Sequence, residues 1–153
     1  MRKISIVAII CLTLVCSSLL LARTPERHNP EENVNNEDQG GTNDQYEVGN
    51  MYYKGKYVPQ NYKEALKRYM KAAKQGNTDA QLRIGYMYYH AQGVTKDYIE
   101  AYAWYNVAAS NGSEEAAGPR SEILKFLTDT WLEAAKARTT EILGSVKRII
   151  KAE

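Results

Sequence analysis

Tyrosine, histidine and carboxylate are the side chains of this sequence whose spacing bears on chemistry. All twelve tyrosines lie between Tyr46 and Tyr105. The only histidines are His28 and His90, so a metal site would need carboxylates gathered around His90 alone. Glu64 and Glu100 recur at a fixed spacing and invite a reading as paired acid and base. Each, however, stands three residues after a good helix cap, Asn61 or Asp97, and a capping box explains them better. There is no His-Glu-x-x-His, no Ser-x-x-Lys leading a nucleophile set, no Gly-x-Ser-x-Gly and no phosphate-binding glycine loop. No catalytic set, metal or cofactor is expected, which leaves recognition as the chemistry open to the tyrosines.

Tyr46, Asn50, Tyr53 and Lys54 follow a spacing of four, three and one, which gathers them on one face of a helix. Tyr86, Tyr89 and His90, preceded by Leu82, occupy the corresponding face 36 residues later. Tyrosine suits a contact surface because it brings a large rigid area at small entropic cost and keeps a polar tip. These seven residues are the candidate partner-contacting set. The competing reading is that their rings pack between helices.

The elements that must position them are written twice. Val48-Gly49-Asn50-Met51-Tyr52-Tyr53 falls on Ile84-Gly85-Tyr86-Met87-Tyr88-Tyr89 at the offset of 36, and Tyr69, Ala72, Ala73 and Gly76 fall on Tyr105, Ala108, Ala109 and Gly112. A period of this size is the mark of a stacked array. Within each unit the apolar residues recur at three and four, the second helix starts at Asn61 or Asp97, and the unit closes on Gly76 or Gly112. Gly49, Gly85, Ala73 and Ala109 allow neighbouring helices to approach closely. Tyr52, Tyr69, Tyr88 and Tyr105 are assigned to the core.

Gly49-x-x-Tyr52 with Ala65-x-x-x-Tyr69-x-x-Ala72-Ala73-x-x-Gly76 resembles the Sel-1-like repeat, a relative of the tetratricopeptide repeat. So does its second copy, Gly85-x-x-Tyr88, Gly93-Val94 and Asp97-x-x-x-Ala101-x-x-Trp104-Tyr105-x-x-Ala108-Ala109-x-x-Gly112. The usual unit has two glycines in the turn between its helices. Here each copy keeps one, Gly55 with Tyr57 in the first and Ala91 with Gly93 in the second, and Arg68 stands where the second copy has Trp104. The resemblance implies an all-α fold, a short right-handed α-solenoid of two full repeats over 44–112 and a closing helix pair over 113–153. It also implies that the first helix of each pair lines a concave groove.

The flanks complete the organisation. Residues 1–22, with Arg2 and Lys3 before an apolar run from Ile4 to Leu21, read as an export signal, with an uncleaved membrane anchor as the alternative. A lipoprotein signal is disfavoured because Val15 and Ile10, rather than small residues, precede Cys16 and Cys11. Residues 23–43 are polar and acidic, too poor in apolar groups to offset ordering entropy, and read as a disordered linker. Both cysteines lie in the signal, so the mature chain would have no disulfide.

In the C-terminal segment Ser113 caps a helix that Gly118-Pro119 kinks or restarts, and Ile123, Leu124, Phe126 and Leu127 supply an apolar side. Thr128 or Asp129 caps a last helix bearing Trp131, Leu132, Ala135, Ile142, Leu143, Val146, Ile149 and Ile150. Ser145 to Glu153 is basic and amphipathic and reads as a frayed end, with a membrane surface or a partner helix as alternatives.

Removing Arg2 and Lys3 leaves basic and acidic residues equal in number, without the basic excess that nucleic-acid binding normally needs. The expected function is that of an exported interaction module, periplasmic or secreted, that holds a peptide or helix of an envelope protein. Its membrane contact, if any, would come through the N-terminal segment. A secreted host-interacting factor and an inhibitor of a membrane sensor are the alternatives, and an enzyme acting on cell-wall material or β-lactams ranks behind both.

Overall fold

Capping signals set the helix boundaries. The computed structural model describes residues 41–151. Over these the chain forms six α-helices, α1 (Thr42–Lys54), α2 (Tyr62–Lys74), α3 (Thr78–His90), α4 (Tyr98–Ser110), α5 (Ala117–Ile123) and α6 (Asp129–Ile150), with 3-10 turns at Glu114–Ala116 and Leu124–Phe126. The export segment and most of the polar linker lie outside the described residues. Within them there is no strand, and no helix is long and apolar enough to cross a membrane.

α1 packs on α2 and α3 on α4 as hairpins, while α2 against α3 joins one hairpin to the next. The repeat holds at the level of single hydrogen bonds. Asn61 N–H donates to Tyr52 O at 2.9 Å and Asp97 N–H to Tyr88 O at 3.2 Å, closing the two interhelix loops alike. Asn77 N–H to Ala72 O and Ser113 N–H to Ala108 O close the units in the same way, past Gly76 and Gly112 at φ +93° and +96°.

The loops turn through the left-handed region twice in each copy. Gly55 and Tyr57 have φ of +68° and +70°, and Ala91 and Gly93 have +56° and +72°. Tyr57 and Ala91 therefore hold positions at which a side chain costs about 1–2 kcal/mol. Glycine relieves this but loses about 0.5–1 kcal/mol more backbone entropy on folding. Ala91→Gly should accordingly raise stability by about 0.5–1 kcal/mol in urea unfolding. A fall in stability would show that the loop accepts alanine without strain.

The capping box is only half made. Asn61 Oδ1 accepts from Glu64 N–H at 3.1 Å, and Asp97 Oδ1 accepts from Ile99 and Glu100 N–H at 2.8 and 3.0 Å. The glutamate side chains do not complete it. Glu64 Oε1 accepts from Arg68 Nε at 3.0 Å, and Glu100 Oε1 accepts from Arg138 Nε at 2.6 Å. A charge-assisted bond to guanidinium is stronger than one to a neutral backbone amide, so the arginines win. Arg68, only 1% exposed, thus takes the core position that Trp104 fills in the second copy.

The core falls into two clusters. One joins Tyr69, Ala72 and Ala73 of α2, Ile84 and Met87 of α3, and Trp104 and Val107 of α4 to Ile142 and Val146 of α6. The other joins Tyr102, Tyr105 and Ala108 of α4 to Ala116, Ile123 and Ala135. Tyr69 and Tyr105 are buried as expected, whereas Tyr52 and Tyr88 are half-buried against the clusters.

The closing segment departs from expectation in two respects. After a 3-10 turn α5 restarts with Gly118-Pro119 in its first turn, and it is so short that it buries only Ile123. Leu124, Phe126 and Trp131 stay exposed, Trp131 at 50%. Thr128 caps α6 through its hydroxyl, as the sequence allows. The tail is not frayed between Ser145 and Ile150. α6 continues to Ile150, with Val146 buried, and reaches back past α4 to α2.

Candidate functional site

The hairpin stacking gathers the α1 and α3 tyrosines into two groups, one in each repeat. Tyr69, rising from α2, is the centre of the first group: its ring lies 5.7 Å from that of Tyr46 and 6.4 Å from that of Tyr53, and its hydroxyl donates to Asn50 Oδ1 at 2.8 Å. Tyr53 also packs on Tyr62 at 5.3 Å, and its hydroxyl donates to Gln92 Oε1 at 2.8 Å, bridging the first repeat to the loop of the second. Lys54 is exposed at the end of α1.

In the second repeat His90 is the centre. Tyr86 lies 4.1 Å from it, and Tyr89 meets it edge-on at 4.8 Å. Tyr89 continues to Tyr98 at 5.8 Å, and Tyr98 stacks on Phe126 at 5.0 Å and 7°. Lys96 lies over both the Tyr89 and Tyr98 rings, at 6.0 and 5.7 Å. Tyr86 is 36% exposed and His90 is exposed, whereas Tyr46, Asn50, Tyr53 and Tyr89 are half-buried. The predicted residues are thus brought together as two groups. Tyr46, Asn50 and Tyr53 are braced from beneath, and Tyr86 and His90 stand outermost.

Arg83 escaped the sequence reading. It lies half-buried on α3, hydrogen-bonded to the Tyr46 hydroxyl, with Tyr53 and Tyr69 beside it. Its spacing of three from Tyr86 and seven from His90 was the signal that places it on their face. Burial, the largest effect, pushes the hydroxyls of Tyr69 and Tyr105 well above the ordinary tyrosine range and raises that of Tyr53 less. Tyr53 and Tyr69, beside Arg83, are therefore neutral at physiological pH.

A second feature is an open cavity of about 250 Å³ at the closing end, lined by Lys96, Asp97, Tyr98, Ile99 and Trp131. Its one carboxylate, Asp97, is already committed to capping α4. Among the described residues no three of His, Cys, Asp and Glu gather as a metal site would require.

With this architecture in place, residues 43–77 and 78–113 each match the Sel1 repeat as a family model. The chain belongs to the Sel1-repeat family. The family's boundaries fall at Asn77 and Ser113, the ends of the two hairpins. Sel1 repeats typically form modules that mediate contacts between proteins, and the helical solenoid seen here has the architecture of such a scaffold. No curated protein matches the chain at significant similarity. Among solved structures it is similar to a protective antigen of uropathogenic Escherichia coli strains that displays the SLR fold, with 29% identity and a TM-score of 0.66. That match covers 74% of this chain and 26% of the antigen. It is also similar to a Sel1 repeat protein from Oxalobacter formigenes, with 31% identity, a TM-score of 0.53, and 67% and 44% of the two chains covered. The chain thus spans less than half the length of either.

Proposed function

We propose that this Sel1-repeat protein is an exported interaction module that holds a peptide or helix of an envelope protein on the face shared by α1 and α3. The observation that carries the reading is the exposed aromatic pair Tyr86 and His90, met edge-on by Tyr89, together with Tyr53 of the first repeat braced by the buried Tyr69. A partner's apolar groups would meet Tyr53, Tyr86 and Tyr89, and its polar groups would meet Asn50, Lys54 and His90. Rings already held by one another lose little freedom on binding, which favours affinity. Export rests on the apolar N-terminal run. It also draws support from the similar Escherichia coli protein being a protective antigen.

The test is an affinity pull-down from envelope extract with the native chain and a Tyr86→Ala, Tyr89→Ala double variant, with helicity checked by circular dichroism. Tyr53 is left in place because its ring braces Tyr69 and its hydroxyl holds Gln92. One protein retained by the native chain and bound at least about tenfold less by the folded variant is the expected result. Equal retention by both would move the site away from this face.

A further inference from the structure

Arg83 is a cation set into the α1–α3 face. Its guanidinium is half-buried, so it has lost part of its hydration, and it bonds to the hydroxyl of Tyr46. Among the described residues no carboxylate forms an ion pair with it, although Glu64 and Glu100 are both taken up by arginines elsewhere. A guanidinium presents several donors in a fixed fork that matches a carboxylate, and a tyrosine hydroxyl fills only part of it. Glu47 stands at the matching position of the first repeat, so the cation belongs to the second copy alone.

We propose that Arg83 receives an acidic side chain, Asp or Glu, of the bound partner. The partner segment would carry that residue between apolar neighbours, one resting on Tyr46 and Tyr53 and the other on Tyr86 and Tyr89. This rests on the binding face proposed above and adds the chemistry that face selects. A charged hydrogen bond sheltered by rings favours Asp or Glu over an uncharged isostere, and the half-buried cation repels a partner lysine.

The experiment uses pools of short synthetic peptides, acetylated and amidated so that no terminal charge competes, with Glu, Gln or Lys fixed between degenerate apolar positions. Binding to the native chain is followed by fluorescence anisotropy. The Glu pool should bind about tenfold or more tightly than the Gln pool, and the Lys pool weakest. Arg83→Met should equalise the Glu and Gln pools while keeping the thermal melt of the native chain. Arg83→Lys should recover only part of the preference, because it restores charge without the fork.

Equal binding of the Glu and Gln pools to the native chain overturns the acidic preference and leaves the face itself standing. Binding of no pool overturns the face and the preference together. A Glu preference that survives Arg83→Met assigns the selection to Lys54 or Lys96 and overturns the role of Arg83.

Discussion

Gly93→Ala is expected to destabilise the protein by about 2–5 kcal/mol, the sum of two separate costs. Alanine at φ +72° loses about 1–2 kcal/mol to its own backbone. Its Cβ would also stand 2.7 Å from the Tyr62 carbonyl carbon and 2.8 Å from the Lys63 amide nitrogen. These are backbone atoms at the start of α2, so no rotamer change relieves the clash and the two repeats must separate. Thermal unfolding should show a loss of about 10 °C or more. Tyr57→Ala is the control, since Tyr57 holds the equivalent place in the first repeat with nearly the same φ and is 60% exposed. It should change stability by less than about 0.5 kcal/mol. A Gly93→Ala variant as mild as the control would mean that the second loop does not bear on α2.

That contrast shows where the sequence was legible. The offset of 36, the caps at Asn61 and Asp97 and the closing glycines are local signals repeated twice, so the helix pairs could be read directly. So could the close approach at Gly49, where a Cβ would stand 2.6 Å from the Tyr69 ring. Which of the two turn positions most needs glycine was not legible, because it depends on the preceding hairpin. The same limit applies to the candidate face. Helical periodicity gathered Tyr46 with Asn50 and Tyr53, but it could not show that Tyr69 rises from another helix to brace them. It also passed over Arg83, a neighbour of the chosen stripe, because a single arginine on a helix is usually solvated. The glutamates illustrate the remaining limit. Their spacing fits a capping box, and only the three-dimensional placement of Arg138 on α6 reveals the competitor that takes Glu100.

Val146→Asp should cost about 3–5 kcal/mol, a large effect for a position so near the end of the described chain. The valine is 2% exposed and shares a cluster with Ala72, Ala73, Trp104 and Val107. Losing its apolar burial costs about 2 kcal/mol, and placing a carboxylate against that surface adds a desolvation penalty of similar size or more. Lys147→Asp, one residue on and exposed, should be nearly silent, and urea unfolding of the two variants separates a docked helix from a frayed one. Apolar residues interleaved with lysine and arginine are equally suited to a membrane surface, a partner helix or a core seam. What decides among them is the cluster of α2 and α4 side chains, built by residues some forty to seventy positions earlier in the chain. Ile150 carries the contact further, its Cδ1 standing 3.2 Å from where a Cβ on Gly76 would lie, at the turn joining the two repeats. The last helix therefore packs on α2 and α4, one helix of each hairpin, and ties the two repeats together. Equal stability of the two variants would return the tail to the surface and leave the stacking to the repeats alone.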